Sequence, residues 1–158
     1  MTTAERAATE AGEIVEKLAA IVGPANVRTS LEERRLYSLD FSEEVGETAI
    51  AVAKPASAEQ IAAIVKLAGA TGAAVNTRGG GMSYTKGHVP VKPKTIILDA
   101  SGLNRVLEVN VVDRYVTIET GVRWVDLRAA LADTGYRVPY LGTLSGSIAT
   151  VGGGLSQN

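Results

Sequence analysis

Three consecutive glycines, Gly79–Gly81, stand between Arg78 on one side and Met82, Ser83 and Tyr84 on the other. Glycine gives up more chain freedom on ordering than any other residue. A turn needs one or two of them, so the third asks for a further role. Residues without β-carbons permit positive φ, let the backbone approach a charged group closely, and can turn successive N–H groups toward one anion. Ser83 adds a hydroxyl donor, and Arg78, Lys86, Lys92 and Lys94 make the neighbourhood positive. A diphosphate suits such a segment; a loose hairpin connection is the rival. Gly152, Gly153 and Gly154, with Thr150 and Ser156 beside them, repeat the composition and favour the ligand.

Two familiar phosphate motifs fit badly. Setting Lys86 on the lysine of G-x-x-x-x-G-K-[ST] puts Thr85 where the second glycine belongs and Gly87 where the metal-binding hydroxyl belongs. For G-x-G-x-x-G, Gly79 and Gly81 supply the first pair, but Tyr84 replaces the third glycine. No helical pattern follows, so a pyrophosphate would have no helix N-terminus to sit on. What remains is a strand running into a glycine nest.

The surrounding pattern supplies that strand. Ala7, Ala11, Ile14, Val15, Leu18, Ile21 and Val22 share a helical face, opened by the capping-box pair Thr2 and Glu5 and stopped at Gly23-Pro24. Ser30 and Glu33 cap a short second helix, "LEERRLY". "TAIAVAKP" is a buried-strand pattern. Ser57 and Gln60 then open a helix whose Ile61, Ile64, Val65 and Leu67 face inward until Gly72, and "AAVNT" is the strand that enters the glycines. Strand–helix–strand favours a right-handed parallel crossover. "TIILDA" and "RVLEVNVVDRYVTIET" follow as strands expected to pair antiparallel, and "VDLRAALADTG" as a helix ending at Gly135. The fold class is α+β: a small parallel βαβ subdomain, then a mainly antiparallel sheet with helices, the two split near residue 90. Residues 1–34 form a helical lead-in.

Composition closes several function classes. Only 4% of the 158 residues are aromatic and the net charge is −1, so neither stacking platform nor basic face invites nucleic acid. Without cysteine there is no disulfide, thiolate metal site or thiol nucleophile. The acidic N-terminus (Glu5, Glu10, Glu13, Glu16) does not suit a targeting peptide, and no run approaches the ~20 apolar residues of a membrane helix. A soluble, cytoplasmic protein is expected. His88, the sole histidine, reads as a solvated turn residue before Pro90; Trp124 and the tyrosines read as packing residues. Asp40, Asp99 and Asp126, with no histidine at metal spacing, read as turn or capping residues, and Glu43, Glu44 and Glu47 as a solvated acidic run.

"RGGGMSY", followed about seventy residues later by "ATVGGGLSQN", resembles the FAD-binding domain of the FAD-linked oxidases with the vanillyl-alcohol oxidase and p-cresol methylhydroxylase (PCMH-type) fold. The likeness spans residues 35–158 and includes "PASAEQIAAIVKLA", "LDASGLNRVLEVN" and "IETGVRWVDLRAAL" in order. It implies FAD as cofactor, with Gly79, Gly80, Gly81, Met82 and Ser83 cradling the pyrophosphate. It also implies polar contacts from Thr150 and Ser156, and close approach at Gly152 and Gly153. Ser145 aligns where some members carry an acidic contact. Many members attach FAD through a histidine of the first loop; Met82 stands there, so attachment by this loop is excluded and binding there is non-covalent.

The resemblance further implies oxidation of an alcohol, hydroxy acid or similar small molecule by hydride transfer to FAD. No catalytic residue falls within this stretch, and no metal, nucleic acid or membrane span is implied. The second glycine segment breaks off at Asn158, so the chain reads as truncated. Ile148, Val151 and Leu155 are expected to be buried, and the 158 residues alone to bind FAD weakly and catalyse nothing. The alternative is a non-catalytic FAD- or nucleotide-binding module; a peptidoglycan-precursor reductase of related fold suits the motif order less well.

Overall fold

The computed structural model describes residues 2–42 and 46–157; Glu43 and Glu44 of the acidic run, and Asn158, lie outside them. The chain forms two compact units, one of Met1–Arg78 with Ser83–Asp99 and the other of Gly79–Met82 with Ala100–Asn158.

In the first unit, helix α1 (Thr3–Val22) starts on the reciprocal capping box: Glu5 N donates to Thr2 Oγ1 at 3.2 Å and Thr2 N to Glu5 Oε2 at 2.7 Å. Ile14, Leu18 and Val22 bury its apolar stripe, while Ala7 at the end of the expected face is exposed. Strand β1 (Val27–Arg28) and the short helix α2 (Leu31–Tyr37) follow, the latter capped by Ser30. Strand β2 (Ala51–Ala53) leads into α3 (Ala58–Thr71), whose Ile64 and Ala68 join the α1 residues in one core, although Val65 turns outward. Strands β3 (Ala74–Arg78) and β4 (Thr95–Asp99) complete a four-stranded sheet in the order β1-β2-β4-β3.

Within this sheet the expected pairing changes. Strand β4 does not join the antiparallel strands: it lies between β2 and β3 and runs parallel to both. All five of its residues are buried, including Thr95 and Asp99. A strand covered on both faces reads as a continuous apolar run, and "TIILD" has that character rather than alternation. Asp99 is therefore a buried strand end, not a turn residue.

The second unit holds an antiparallel hairpin, β5 (Val106–Asn110) and β6 (Tyr115–Ile118), whose turn is fixed by Asn110 Oδ1 accepting from the N–H of Val112 and Asp113. Helix α4 (Trp124–Ala130) ends earlier than its apolar pattern suggests; the chain then turns, and Gly135 takes φ 75°. Val122, Trp124, Leu127, Leu131, Ala149 and Val151 make the core here, with half-buried Met82 packed on it. Arg123 forms a two-point ion pair with Asp126 in the first turn of α4, as expected of an acidic residue there.

The second glycine segment corrects another expectation. Val151–Ser156 is a helix, α5, rather than a loop. Three glycines in six residues argue against a helix by propensity, so packing decides it. A β-carbon on Gly152 would collide with Thr120 Oγ1 and come within 2.6 Å of Thr120 O, and one on Gly154 would lie 3.0 Å from the Trp124 ring. The helix forms where only a bare backbone fits. Of the three apolar residues expected inside, Val151 alone is buried; Ile148 and Leu155 are 48% and 69% exposed and belong to no part of the Val151 cluster.

Candidate cofactor-binding site

The two glycine segments meet within the second unit. Gly79 and Gly80 lie so close to residues 148–150 that a β-carbon on Gly79 would strike Thr150 Oγ1, and one on Gly80 the carbonyl oxygen of Ile148. Gly81 adopts φ 72°, the left-handed region where a β-carbon is disfavoured. Each of the three glycines thus has its own steric reason, which is what a simple turn lacks. Thr150, 3% exposed, sits at the junction: its Oγ1 accepts from Gly153 N at 3.2 Å and so caps α5.

Hydrogen bonding separates the segments further. The backbone N–H groups of Gly80, Gly81 and Met82 donate to no described residue. Gly81 is itself buried. Buried backbone donors without an acceptor are rare and cost about 1–3 kcal/mol each. Three successive free N–H groups are a donor array that an anion would satisfy. No acidic side chain occurs in Gly79–Met82 or in Thr150–Ser156 to repel one. The residues present therefore fit a diphosphate.

The remaining sequence-predicted residues are placed as follows. Ser156 Oγ donates back to Gly153 O at 2.9 Å within α5. Ser145 is exposed and left-handed, φ 55°, between Leu144 at 50° and Gly146 at 73°. A non-glycine residue held there costs about 1–2 kcal/mol, so this turn is strained. Ser83 falls in the first unit, where its Oγ accepts from Thr85 N at 3.2 Å and Gly87 N at 3.0 Å.

That first unit carries a feature the sequence concealed. Asp40 accepts from Ser42 N (2.8 Å) and Ser42 Oγ (2.5 Å), the turn role expected of it. It also reaches the chain segment that follows the glycines, accepting from Lys86 N at 2.8 Å. Burial pushes its carboxyl up, but the bonds from Ser42, Ser83 and Lys86 together hold it below its ordinary value of 3.8. Lys86 has φ 59°, and the charge-assisted bond to its N–H offsets that strain. Phe41 N donates to Ser83 O at 2.9 Å, and the Phe41 and Tyr84 rings stand 5.7 Å apart.

His88 completes this clasp and overturns its reading as a solvated residue. It is only 4% exposed, and its Nε2 lies 2.9 Å from Leu39 O. Asn76 Nδ2 holds the neighbouring carbonyls of His88 and Val89, each at 3.2 Å. Burial drives the imidazole below its ordinary 6.5, with Arg78 acting the same way and Leu39 O and Asp40 opposing. A turn sequence gave no sign that a second segment 49 residues away would cover it. The positive neighbourhood is also thinner than composition implies: Lys94 is paired with Glu10 at 3.0 Å. The Arg78 guanidinium stacks 4.6 Å from the Tyr37 ring centroid, and its buried Nε has no partner among the described residues.

Comparison with known proteins decides what these glycine segments belong to. A family model described as FAD binding domain matches residues 49–158. The chain belongs to the FAD-binding domain family. At 34% identity over 149 residues this FAD-binding domain is similar to an uncharacterized FAD-linked oxidoreductase of Mycobacterium tuberculosis, covering 92% of the chain and 31% of that protein. At 26% over 145 residues it is similar to D-2-hydroxyglutarate dehydrogenase of Stutzerimonas stutzeri, again covering 92% and 31%. The chain thus spans about a third of the length of these curated relatives. Among solved structures, p-cresol methylhydroxylase with substrate bound aligns with a TM-score of 0.76 at 21% identity, covering 89% of this chain and 28% of that one. Alkyldihydroxyacetonephosphate synthase aligns with a TM-score of 0.81 at 22%, covering 92% and 29%. The PCMH-type α+β fold is therefore shared. No helix among the described residues is long and apolar enough to cross a membrane, and no described group of three or more His, Asp or Glu side chains could hold a metal.

Proposed function

We propose that this domain binds FAD non-covalently, with the diphosphate on the N–H groups of Gly80, Gly81 and Met82, as the cofactor-holding part of an oxidoreductase. The three unclaimed donors carry the reading. Gly79 and Gly80 hold that array against residues 148–150 of the second segment, Gly152 and Gly153 are the further close-approach candidates there, and Ser145 and Ser156 are the remaining polar candidates near the cofactor. FAD, when bound, supplies the two-electron acceptor that removal of hydride from an alcohol or hydroxy-acid carbon requires. The relatives' names support this substrate class. What the chain itself contributes is binding and orientation. Cytoplasmic location and a small-molecule substrate, with no nucleic-acid partner, go with this proposal.

Non-covalent binding at the first loop is supported by Met82, which has no nucleophilic nitrogen, and by the burial of His88. Acid precipitation should leave all flavin in the supernatant; a flavin adduct on the peptide containing Met82 would contradict the proposal. The decisive test is competition. If the diphosphate is the handle, ADP should displace FAD while riboflavin binds at least ~100-fold more weakly, the equivalent of a few charge-assisted hydrogen bonds. Riboflavin binding as tightly as FAD, or no flavin uptake up to millimolar concentration, would overturn it.

A further inference from the structure

Trp124 carries an orphaned donor within the core of the second unit. The residue is only 6% exposed, and its indole Nε1 is buried without a hydrogen-bond partner among the described residues. An indole N–H can only donate, and when buried it usually finds an acceptor. Left unmade, the bond destabilises the fold until something outside the chain accepts it. Two flanks of this nitrogen are kept clear of side chains. A β-carbon on Gly142 would come within 2.8 Å of Nε1, and one on Gly154 within 3.2 Å. The exposed Tyr140 meets the ring edge-on, its centroid 5.1 Å away.

Ala149 connects the indole with the first glycines, all inside the same unit. The added β-carbon on Gly142 would lie 3.1 Å from Ala149 Cβ, and one on Gly80 3.1 Å from Ala149 Cα. Trp124 N donates to Ala149 O at 3.1 Å. The indole and Gly80 therefore border one small residue. We propose that Trp124 is a further cofactor-binding residue: its Nε1–H donates to an oxygen of the FAD diphosphate, beside the N–H groups of Gly80, Gly81 and Met82. This rests on the FAD reading above. Tyr140 is the side chain that turns aside to admit the oxygen, and Gly142 and Gly154 allow the close approach. An anionic acceptor makes the bond charge-assisted, and so stronger than one between neutral groups.

Trp124 is the sole tryptophan, so the whole chain labelled with nitrogen-15 gives a single indole N–H signal. Titration with ADP should move that signal downfield and protect it from exchange, with the same midpoint at which ADP displaces FAD. Replacing the tryptophan by benzothienylalanine keeps the shape but puts sulfur in place of the N–H. That protein should bind FAD and ADP at least about tenfold more weakly, the equivalent of one charge-assisted hydrogen bond. Its melting temperature without ligand should equal or exceed the parent's, because the orphaned donor is gone; a packing role alone predicts neither change in affinity nor a shift with ADP. A parent that binds FAD while the indole signal stays unmoved, or while the sulfur analogue binds equally well, overturns this proposal alone. So does an indole already protected before ligand is added, since the chain then supplies the acceptor, or a signal moved by riboflavin but not by ADP. A parent that takes up neither FAD nor ADP overturns the FAD reading and this one together.

Discussion

Gly79–Gly81 and Gly152–Gly154 are the same three letters put to opposite uses. In the first segment the backbone is non-helical, two missing β-carbons admit Thr150 and Ile148, and successive N–H groups stay unclaimed. In the second the backbone is helical, and Thr150 Oγ1 and O take the N–H groups of Gly153 and Gly154. There the missing β-carbons admit Thr120 and Trp124. Donor capacity is kept open in one segment and used up in the other. Composition cannot show that difference, because it lies in what each backbone meets.

The largest expected effect therefore belongs to the first segment. A Gly80→Val side chain would meet the Ile148 carbonyl and come within 3.1 Å of Ala149 Cα, backbone that cannot rotate away. Forced overpacking costs about 1–3 kcal/mol, and the donor array should be displaced with it. FAD affinity is expected to fall at least ~100-fold, on the order of that loss or more, and titration beside a thermal melt checks both. Unchanged affinity would show that Gly80 has room and that the segments do not meet as described.

Next comes the second segment, where the sign of a helix rule should reverse. Gly→Ala inside a helix ordinarily stabilises by about 0.5–1 kcal/mol. At Gly152 the new methyl collides with Thr120 Oγ1 and O, so Gly152→Ala should instead lower the melting temperature by several degrees, on the scale of an overpacked core. A melting temperature at or above the parent's would mean that α5 stands off from Thr120.

Much of this architecture was legible in the residues, and the failures share a cause. The caps at Thr2, Ser30 and Ser57 and the stop at Gly23 are local signals and are realised locally. The PCMH-type resemblance rests on motifs spread along the chain, and the family match supports it. By contrast, the placement of β4 between β2 and β3, the burial of His88 and the second role of Asp40 depend on partners 21 to 49 positions away. The helix at Val151–Ser156 went unread because its glycines answer to Thr120 and Trp124, not to their own propensity. Local chemistry names the parts; only packing says which part each glycine plays.

The segment that continues from the first glycines has a titratable anchor that the second lacks. His88 is buried with its pKa depressed, so the folded state favours neutral imidazole. Its contribution to stability is complete above the ordinary value of 6.5 and is lost as pH falls from there toward the lowered folded value. Parent melting temperature should therefore decline as pH drops below 6.5, and His88→Gln, which cannot charge, should show a shallower decline over the same range. Parallel pH profiles for the two proteins would show that His88 is solvated after all.

The smallest effect sharpens the contrast most. Gly153 is the one glycine of α5 whose added β-carbon would touch only Thr150 Oγ1, at 3.0 Å. That atom is the cap acceptor for Gly153 N, so it can yield by a few tenths of an ångström but not leave without losing a bond of about 1 kcal/mol. Against this stands the helix gain of about 0.5–1 kcal/mol on replacing glycine by alanine. The two nearly cancel, and Gly153→Ala should melt within about 2 °C of the parent, a shift that matches a few tenths of a kcal/mol in a domain this size. Flavin affinity should stay close to the parent's as well, because the N–H of residue 153 is already spent on the cap. In Thr150→Ala both the cap acceptor and the atom that the new β-carbon meets are gone; the same alanine change should then stabilise, since only the helix gain is left. If Gly153→Ala instead abolishes FAD binding while the melt is unmoved, the second segment holds the cofactor by close approach at Gly153, and the two glycine triplets are alike in function though not in conformation.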